Sequence, residues 1–176
     1  GNPPIYDRAA LKLSSEDHNR FDNEGLKAHW RFLLDKKKIY WDDNIIGSVT
    51  IDLASLSDPV FVKEDGQFLY TLASVCDDID FGITHVIRGS DHITNTAFHI
   101  QMFDAFKSNI PQFGHHPFLT DHEGKGFGKR LGSLSIDKMR SDGFENLTLL
   151  NYLLSIGSSL NLTKEINIQD LLKSFN

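Results

Sequence analysis

An α/β fold is predicted for this chain of 176 residues, and three observations carry the prediction. Thr84 to Arg88 is a short, apolar, β-branched run that stops at Gly89, which reads as a strand. Before it, Leu72, Val75, Cys76 and Ile79 recur at helical spacing up to Gly82, and after it a helix opens with Asp91 as its expected N-cap and runs to about Lys107. Gly114 to Leu119 then reads as another short strand. Such a succession is half of a doubly wound sheet, in which ligands bind beyond the carboxyl ends of the strands, here at Arg88 to Asp91.

The remaining elements follow from punctuation and period. Ser14-Ser15-Glu16-Asp17 places serine before acidic residues and predicts a helix from about Ser15 to Asn23, broken by Gly25. Residues 26 to 34 fit helix and strand equally. Lys36 to Asn44 reads as strand and polar turn, and Ile45 to Asp52 as a β-branched strand with a bend at Gly47, so the first third is a small α+β unit. After Asp58-Pro59, Val60–Lys63 and Phe68–Tyr70 read as two strands joined at Glu64-Asp65-Gly66. Thr120 to Gly132 reads as a loop with four glycines. Helices follow from Ser135 through Arg140, from Glu145 to about Ile156 with a broad leucine-rich surface, and from about Ile168 to Phe175.

Composition excludes several classes. The apolar share of 40% is that of a globular protein. The single cysteine, Cys76, cannot form an internal disulfide, and its apolar helical position makes it core, so a reducing cytoplasm is expected. No apolar run approaches the roughly 20 residues needed to cross a bilayer, and Gly1-Asn2-Pro3-Pro4 lacks the regions of a signal peptide. A net charge of −6 argues against generic nucleic-acid binding. It leaves room for local basic clusters at Lys36-Lys37-Lys38 and at Lys125, Lys129, Arg130, Lys138 and Arg140.

Two segments could carry chemistry. Gly124-Lys125-Gly126-Phe127-Gly128-Lys129-Arg130 has the ingredients of a phosphate cradle, with glycines that let backbone N–H groups approach an anion and a lysine as point charge. It is not a Walker A loop, because Glu123 and Arg130 stand where glycine and a hydroxyl residue are required. Arg88 sits at the end of an apolar strand, where its fork suits a carboxylate, or a structural pair with Asp91 or Asp77. His85, His92 and His99 are spaced by seven, not by the three or four of a helical metal pair, and with His115-His116 they make no expected cage. Asp77-Asp78 are helix neighbours that point in different directions, which favours a solvated face over a catalytic acid pair.

The segment Val86-Ile87-Arg88-Gly89-Ser90-Asp91-His92-Ile93-Thr94-Asn95-Thr96, with the glycine-lysine loop downstream, resembles bacterial-type glutamyl-tRNA synthetases, class I enzymes with an HVIRGEDH stretch and a KLSKR loop of the KMSKS kind. Further segments extend the resemblance in order. Ile5-Tyr6-Asp7 is similar to the family's YDG, Trp41 to Thr50 to FDDLVRGEVTF, Phe68 to Asp78 to PTYHLASVVDD, and Leu150-Asn151-Tyr152-Leu153-Leu154 to LLNYLALLG. The chain departs from the loop pattern at Gly126 and Gly128, which stand where the family has lysine and serine, and the HIGH signature is absent.

The resemblance implies a fold and a division: residues 1–57 as a connective, acceptor-stem-binding α+β insertion, 58–132 as the second half of a class I Rossmann domain, and 133–176 as the start of a helical stem-contact region. A HIGH-bearing half is expected before Gly1 and an anticodon-binding domain after Asn176, so that the piece alone would be inactive. It implies a glutamate–tRNA ligase working through glutamyl-adenylate, with Tyr70, Ser74 and Arg88 lining the glutamate pocket and Asp91 and His92 near the nucleotide and the tRNA end. Gly126, Phe127, Gly128 and Lys129 would form the ATP loop, with Lys129 on the phosphates and Arg130 in support. The implied partners are glutamate, ATP with Mg2+ and a glutamate- or glutamine-type tRNA, with no structural metal and no membrane, and the protein is expected to be a monomer. Two other readings are a paralogue that charges glutamine tRNA or modifies a tRNA base, and a non-catalytic acceptor-stem binder.

Overall fold

Ser14 begins the first helix as the spacing predicts: its hydroxyl accepts from the Asp17 N–H at 3.1 Å while the Asp17 carboxylate accepts from the Ser14 N–H at 3.0 Å, a reciprocal capping box. The computed structural model describes residues 5–120, 124, 135–157 and 167–174, and the chain divides into two units, 1–117 and 118–176. In the first unit the order is α1 (Ser15–Asn23), β1 (Trp30–Arg31), β2 (Lys38–Asp43), β3 (Gly47–Asp52), β4 (Val60–Val62), α2 (Tyr70–Asp80), β5 (His85–Gly89), α3 (Ile93–Ala105) and β6 (Gln112–His116). In the second it is α4 (Ile136–Ser141), α5 (Asn146–Gly157) and α6 (Ile168–Ser174). Among the described residues no helix is long and apolar enough to cross a membrane.

β2 and β3 form an antiparallel hairpin in register from Lys38↔Asp52 to Asp43↔Gly47, and β1 pairs antiparallel with β4. β5 and β6 run parallel from His85↔Gln112 to Gly89↔His116, with α3 as the crossover between them. That is the β–α–β unit the strand and helix periods predict. α2 ends in a Schellman arrangement. The Ile83 N–H reaches the Asp78 carbonyl at 2.9 Å and the Gly82 N–H the Ile79 carbonyl at 3.1 Å, with Gly82 at φ +61°.

Three expectations are corrected. Phe68 makes one isolated bridge to Val62, but Leu69 then caps α2 and Tyr70 is its first residue, so Phe68–Tyr70 is not a strand. The helical spacing of Leu72, Val75 and Ile79 extends back into it. Asp91 is not an N-cap: Ser90–His92 form a 3-10 turn whose Ser90 carbonyl takes the Ile93 N–H, leaving at the cap His92, whose ring meets the Asn95 side chain and caps no backbone N–H. The last strand of the unit starts earlier than Gly114 and stops at His116, because Pro117 cannot donate to the ladder.

α3 is buried on nearly every side, through Thr96, Ala97, His99, Gln101, Met102 and Phe103. Leu34, Ile39, Leu53 and Ala97 form one apolar cluster, and Val75, Met102, Phe103 and Phe113 a second, with Phe32, Trp41 and Ile100 packed against both. The helix thus joins the hairpin to the parallel strands. Burying a large apolar side chain contributes roughly 1.5–3 kcal/mol, so these clusters supply most of the cohesion of the first unit.

Lys36 belongs to the frame and not to a basic patch. Its ammonium lies on the Leu56 carbonyl at 2.5 Å and 3.4 Å from buried Asp58, while Lys37 pairs with Asp35 at 3.0 Å. Asp58 also accepts from Arg8 Nε at 2.8 Å, from Arg8 Nη2 at 2.9 Å and from the Leu34 N–H at 3.1 Å. Burial opposes ionisation of Asp58, but Arg8, the Leu34 N–H and Lys36 outweigh it, and the carboxyl stays below its ordinary value. A depressed carboxyl stabilises the fold above its unfolded pKa and ceases to do so as pH falls through the folded one. Asp58→Ala is expected to cost about 2–3 kcal/mol in urea unfolding at neutral pH, and Asp58→Asn to remove part of the acid sensitivity. An unchanged urea midpoint in both variants would refute this role.

Candidate functional site

The site forms where β5 ends. Arg88 is its fourth residue, and parallel pairing with His115 of β6 places it at the lip of the sheet. Its guanidinium donates from Nη2 to Thr96 Oγ1 at 2.7 Å, lies with Nη1 at 3.5 Å from His99 Nδ1, and stands 5.7 Å from the centroid of the Phe113 ring. Its Nε is buried without a partner. Among the described residues Arg88 makes no ion pair, so neither Asp91 nor Asp77 holds it, although Asp78 and Asp91 act on it through space. Burial is the largest influence on the guanidinium and lowers its pKa, opposed by Tyr70, Asp78 and Asp91.

Tyr70 stands at the start of α2, with its ring 5.7 Å from that of His92 and 6.4 Å from that of His99. Ser74 lies one helical turn further along, on the same face, with its hydroxyl 3.4 Å from the Thr71 carbonyl. Tyr70, Arg88 and His92 therefore converge around His99. Asp91 is exposed beside them, 3.6 Å from His92 Nε2. Gly126, Phe127, Gly128, Lys129 and Arg130 lie outside the described residues. Burial raises the pKa of Asp78, with Arg88 pulling it down and Asp77 pushing it up, while Cys76 is half-buried and its thiol is pushed up by burial and by Asp80 and Asp77.

Four side chains stand behind Arg88 that the sequence alone did not single out for this place. Asp43, at the end of β2, bonds through Oδ1 to the N–H groups of Ile45, Ile46 and His115, at 3.1, 3.2 and 3.0 Å. Its Oδ2 meets His115 Nδ1 at 2.5 Å, and His115 Nε2 meets Thr96 Oγ1 at 2.9 Å. Asp43, Thr96, His99 and His115 are all buried. Burial alone would raise the Asp43 carboxyl, yet the bonds to His115, Ile45 and Ile46 hold it far below the usual carboxylate range. The tip of the hairpin is docked here. The Asn44 N–H donates to the Phe113 carbonyl at 2.8 Å, and Gly114 leaves room for Ile45, whose Cδ1 would lie 3.3 Å from a Cβ at that position. Among the described residues no group of three His, Cys, Asp or Glu side chains could hold a metal ion.

The family model for the catalytic domain of class I tRNA synthetases (E and Q) matches residues 2–176. The chain is 51% identical over 177 residues to glutamate–tRNA ligase 2 of Beijerinckia indica and 47% identical over 175 residues to glutamate–tRNA ligase 1 of Paracoccus denitrificans, with 99% of the chain covered in each. It spans 39% and 40% of those two proteins. The structure is similar to that of a glutamate–tRNA synthetase from Elizabethkingia anophelis, with a TM-score of 0.79 at 26% identity over 95% of this chain and 38% of that one. A glutamate tRNA ligase from Elizabethkingia meningosepticum, solved in complex with its amino acid, gives a TM-score of 0.61 at 30% identity over 77% of this chain and 26% of that one.

His99 supplies a test of how dry this lip is. Burial, then the positive charges of Arg88 and His92, push its pKa down to about 3. The unfolded chain takes up this proton near 6.5 while the fold refuses it, so stability falls as pH drops from about 6.5 towards about 3. NMR of the labelled imidazole is expected to show a neutral ring from about pH 8 to about pH 5, and His99→Gln to lose this share of the acid sensitivity. A ring that charges at the ordinary histidine pH would mean that water reaches it.

Proposed function

Because this chain belongs to the catalytic-domain family of class I tRNA synthetases for glutamate and glutamine, we propose that it forms part of a glutamate–tRNA ligase. In this reading residues 1–57 are the connective, acceptor-stem-binding insertion, 58–132 the second half of the catalytic domain, and 133–176 the start of the stem-contact region. Glutamate attacks the α-phosphorus of ATP through its α-carboxylate and releases pyrophosphate. A terminal ribose hydroxyl of tRNA then attacks the acyl carbon of the adenylate and releases AMP. Both steps depend on positioning and on stabilising charge that develops on oxygen.

The observation that carries this reading is Arg88. A guanidinium held at the carboxyl end of a parallel strand, partly desolvated, with a buried Nε unpartnered and no carboxylate on it, is an arrangement that an incoming carboxylate completes. Tyr70 and Ser74 on α2 flank the same lip and line the pocket for glutamate. Asp91 and His92, on the turn beyond β5, serve the nucleotide and the tRNA end. Lys129 acts on the phosphates of ATP, which arrives with Mg2+, while Arg130, Gly126, Phe127 and Gly128 shape the loop around it. Gly126 and Gly128 in place of the family's lysine and serine favour one second reading, a paralogue that charges glutamine tRNA or modifies a tRNA base.

Three measurements on a full-length ligase carrying this chain test the proposal. Charging with labelled glutamate, ATP and separately purified glutamate and glutamine tRNAs is expected to label one of them, and labelling of neither would withdraw the ligase reading. Lys129→Ala is expected to slow ATP–pyrophosphate exchange by about 30- to 1000-fold, corresponding to roughly 2–4 kcal/mol for one well-placed donor. Arg88→Gln is expected to raise the KM for glutamate by about 100-fold with a much smaller effect on that for ATP.

A further inference from the structure

We propose that Asp43, His115 and Thr96 form a positioning relay that fixes the guanidinium of Arg88 for its carboxylate ligand. The proposal rests on the reading of Arg88 given above. Its logic lies in hydrogen-bond polarity. At one end, an ionised carboxylate can only accept, and at the other a guanidinium can only donate. Asp43 Oδ1 is occupied by three backbone N–H groups, so Oδ2 is left to take the proton of His115 Nδ1, with the Trp41 indole N–H on the same oxygen at 3.4 Å. With that proton on Nδ1, the other ring nitrogen, Nε2, accepts from the Thr96 hydroxyl at 2.9 Å. The hydroxyl hydrogen is thereby directed to the imidazole, and its lone pairs face Arg88 Nη2 at 2.7 Å.

Each link is short, those from Asp43 to His115 and from His115 to Thr96 are buried, and reversing the second would turn the Thr96 hydroxyl. The only competing acceptor for the Thr96 hydrogen among the described residues is the His92 carbonyl, at 3.2 Å. The other holds on the guanidinium are Tyr70, which hydrogen-bonds to it and attracts it, and His99 Nδ1 at 3.5 Å, while Nε has no partner. The bond to Thr96, at 2.7 Å, is the hold the relay controls, because the tautomer of His115 decides where the hydroxyl hydrogen points and hence which lone pair faces Arg88 Nη2. Asp43 sits on the hairpin, 45 residues before Arg88 in the chain, so docking of that hairpin on β6 sets the direction of a side chain it does not touch. A carboxylate serving an imidazole tautomer in this way parallels the role of the aspartate in the serine-protease triad.

Asp43→Asn tests the polarity with little change of shape. Keeping its carbonyl on the three backbone N–H groups puts its NH2 group opposite His115 Nδ1, which moves the ring proton to Nε2. That N–H then donates to Thr96 Oγ1, whose hydrogen turns to the His92 carbonyl, so that the lone pair left for Arg88 Nη2 changes direction. In the full-length ligase, ATP–pyrophosphate exchange is expected to show a KM for glutamate raised about tenfold, with the KM for ATP within about twofold of the parent. Thr96→Val, which keeps the shape and removes the hydroxyl, is expected to give the same split, and Thr96→Ser to bring the glutamate KM back toward the parent value. In an Arg88→Lys background neither change is expected to add to the loss already present, because the relay acts only through the fork.

Two outcomes would overturn the relay while leaving the role of Arg88 intact. One is a glutamate KM within about twofold of the parent in both Asp43→Asn and Thr96→Val while Arg88→Lys raises it. The other is a parallel change in both KM values and kcat, which would make the network a structural brace. If Arg88→Lys itself leaves the glutamate KM unchanged, the reading of Arg88 fails first, and the relay fails with it.

Discussion

The buried pair of Asp43 and His115 is the constraint on which the arrangement of the first unit depends. It lies where three pieces meet: the tip of the β2–β3 hairpin, the last strand of the parallel pair, and the crossover helix through Thr96. A buried carboxylate gains little net stability over well-packed apolar groups, because its desolvation offsets most of the attraction. Direction is what it provides and an apolar contact could not. Asp43 takes N–H groups from its own turn and from β6, so the position of the hairpin tip relative to the sheet is specified to within a hydrogen bond.

Helix α3 extends that constraint into the core. Its apolar residues belong to both clusters, and its polar ones, Thr96, His99 and Gln101, are also buried. Gln101 is satisfied by the backbone of Asp35, accepting from its N–H at 3.0 Å and donating to its carbonyl at 2.7 Å. Thr96 and His99 are turned instead toward Arg88. One face of the helix thus secures the loop before the hairpin, while another forms the floor beneath the cation, so the rigidity of the site comes from the same packing that holds the fold together.

Much of this was legible in the sequence. Ser14 to Asp17 announced α1 through a local capping box, and the β-branched run ending at Arg88, with helical spacing on either side, announced the parallel unit. What failed to show was non-local. The 3-10 turn at Ser90–His92 depends on how the chain leaves a paired strand, so Asp91 looked like a cap and was not one. Phe68 to Tyr70 looked like a strand because aromatic and apolar residues adjoin a turn, whereas the helix draws Tyr70 into its first turn. Asp43 and His115 stand 72 residues apart, and nothing local announces their meeting. The available signals were an aspartate closing a half-buried strand and a histidine that follows Phe113 and Gly114 in a short one.

The electrostatic balance of the lip follows from where each charge is already engaged. Asp43 is occupied by three backbone N–H groups, the Trp41 indole N–H and an imidazole, so its charge is not available to Arg88. His99 is held neutral by burial and by the cations beside it, so it adds no charge of its own. Asp78 and Asp91 lie close enough to temper the guanidinium but do not pair with it. The result is a partly desolvated cation with no carboxylate paired to it among the described residues. An amide in that place would set its own N–H groups against donors that cannot reverse, while a carboxylate presents lone pairs to all of them. Under the proposed function, the same polarity argument that orients Arg88 from behind therefore selects the acid over its amide in front.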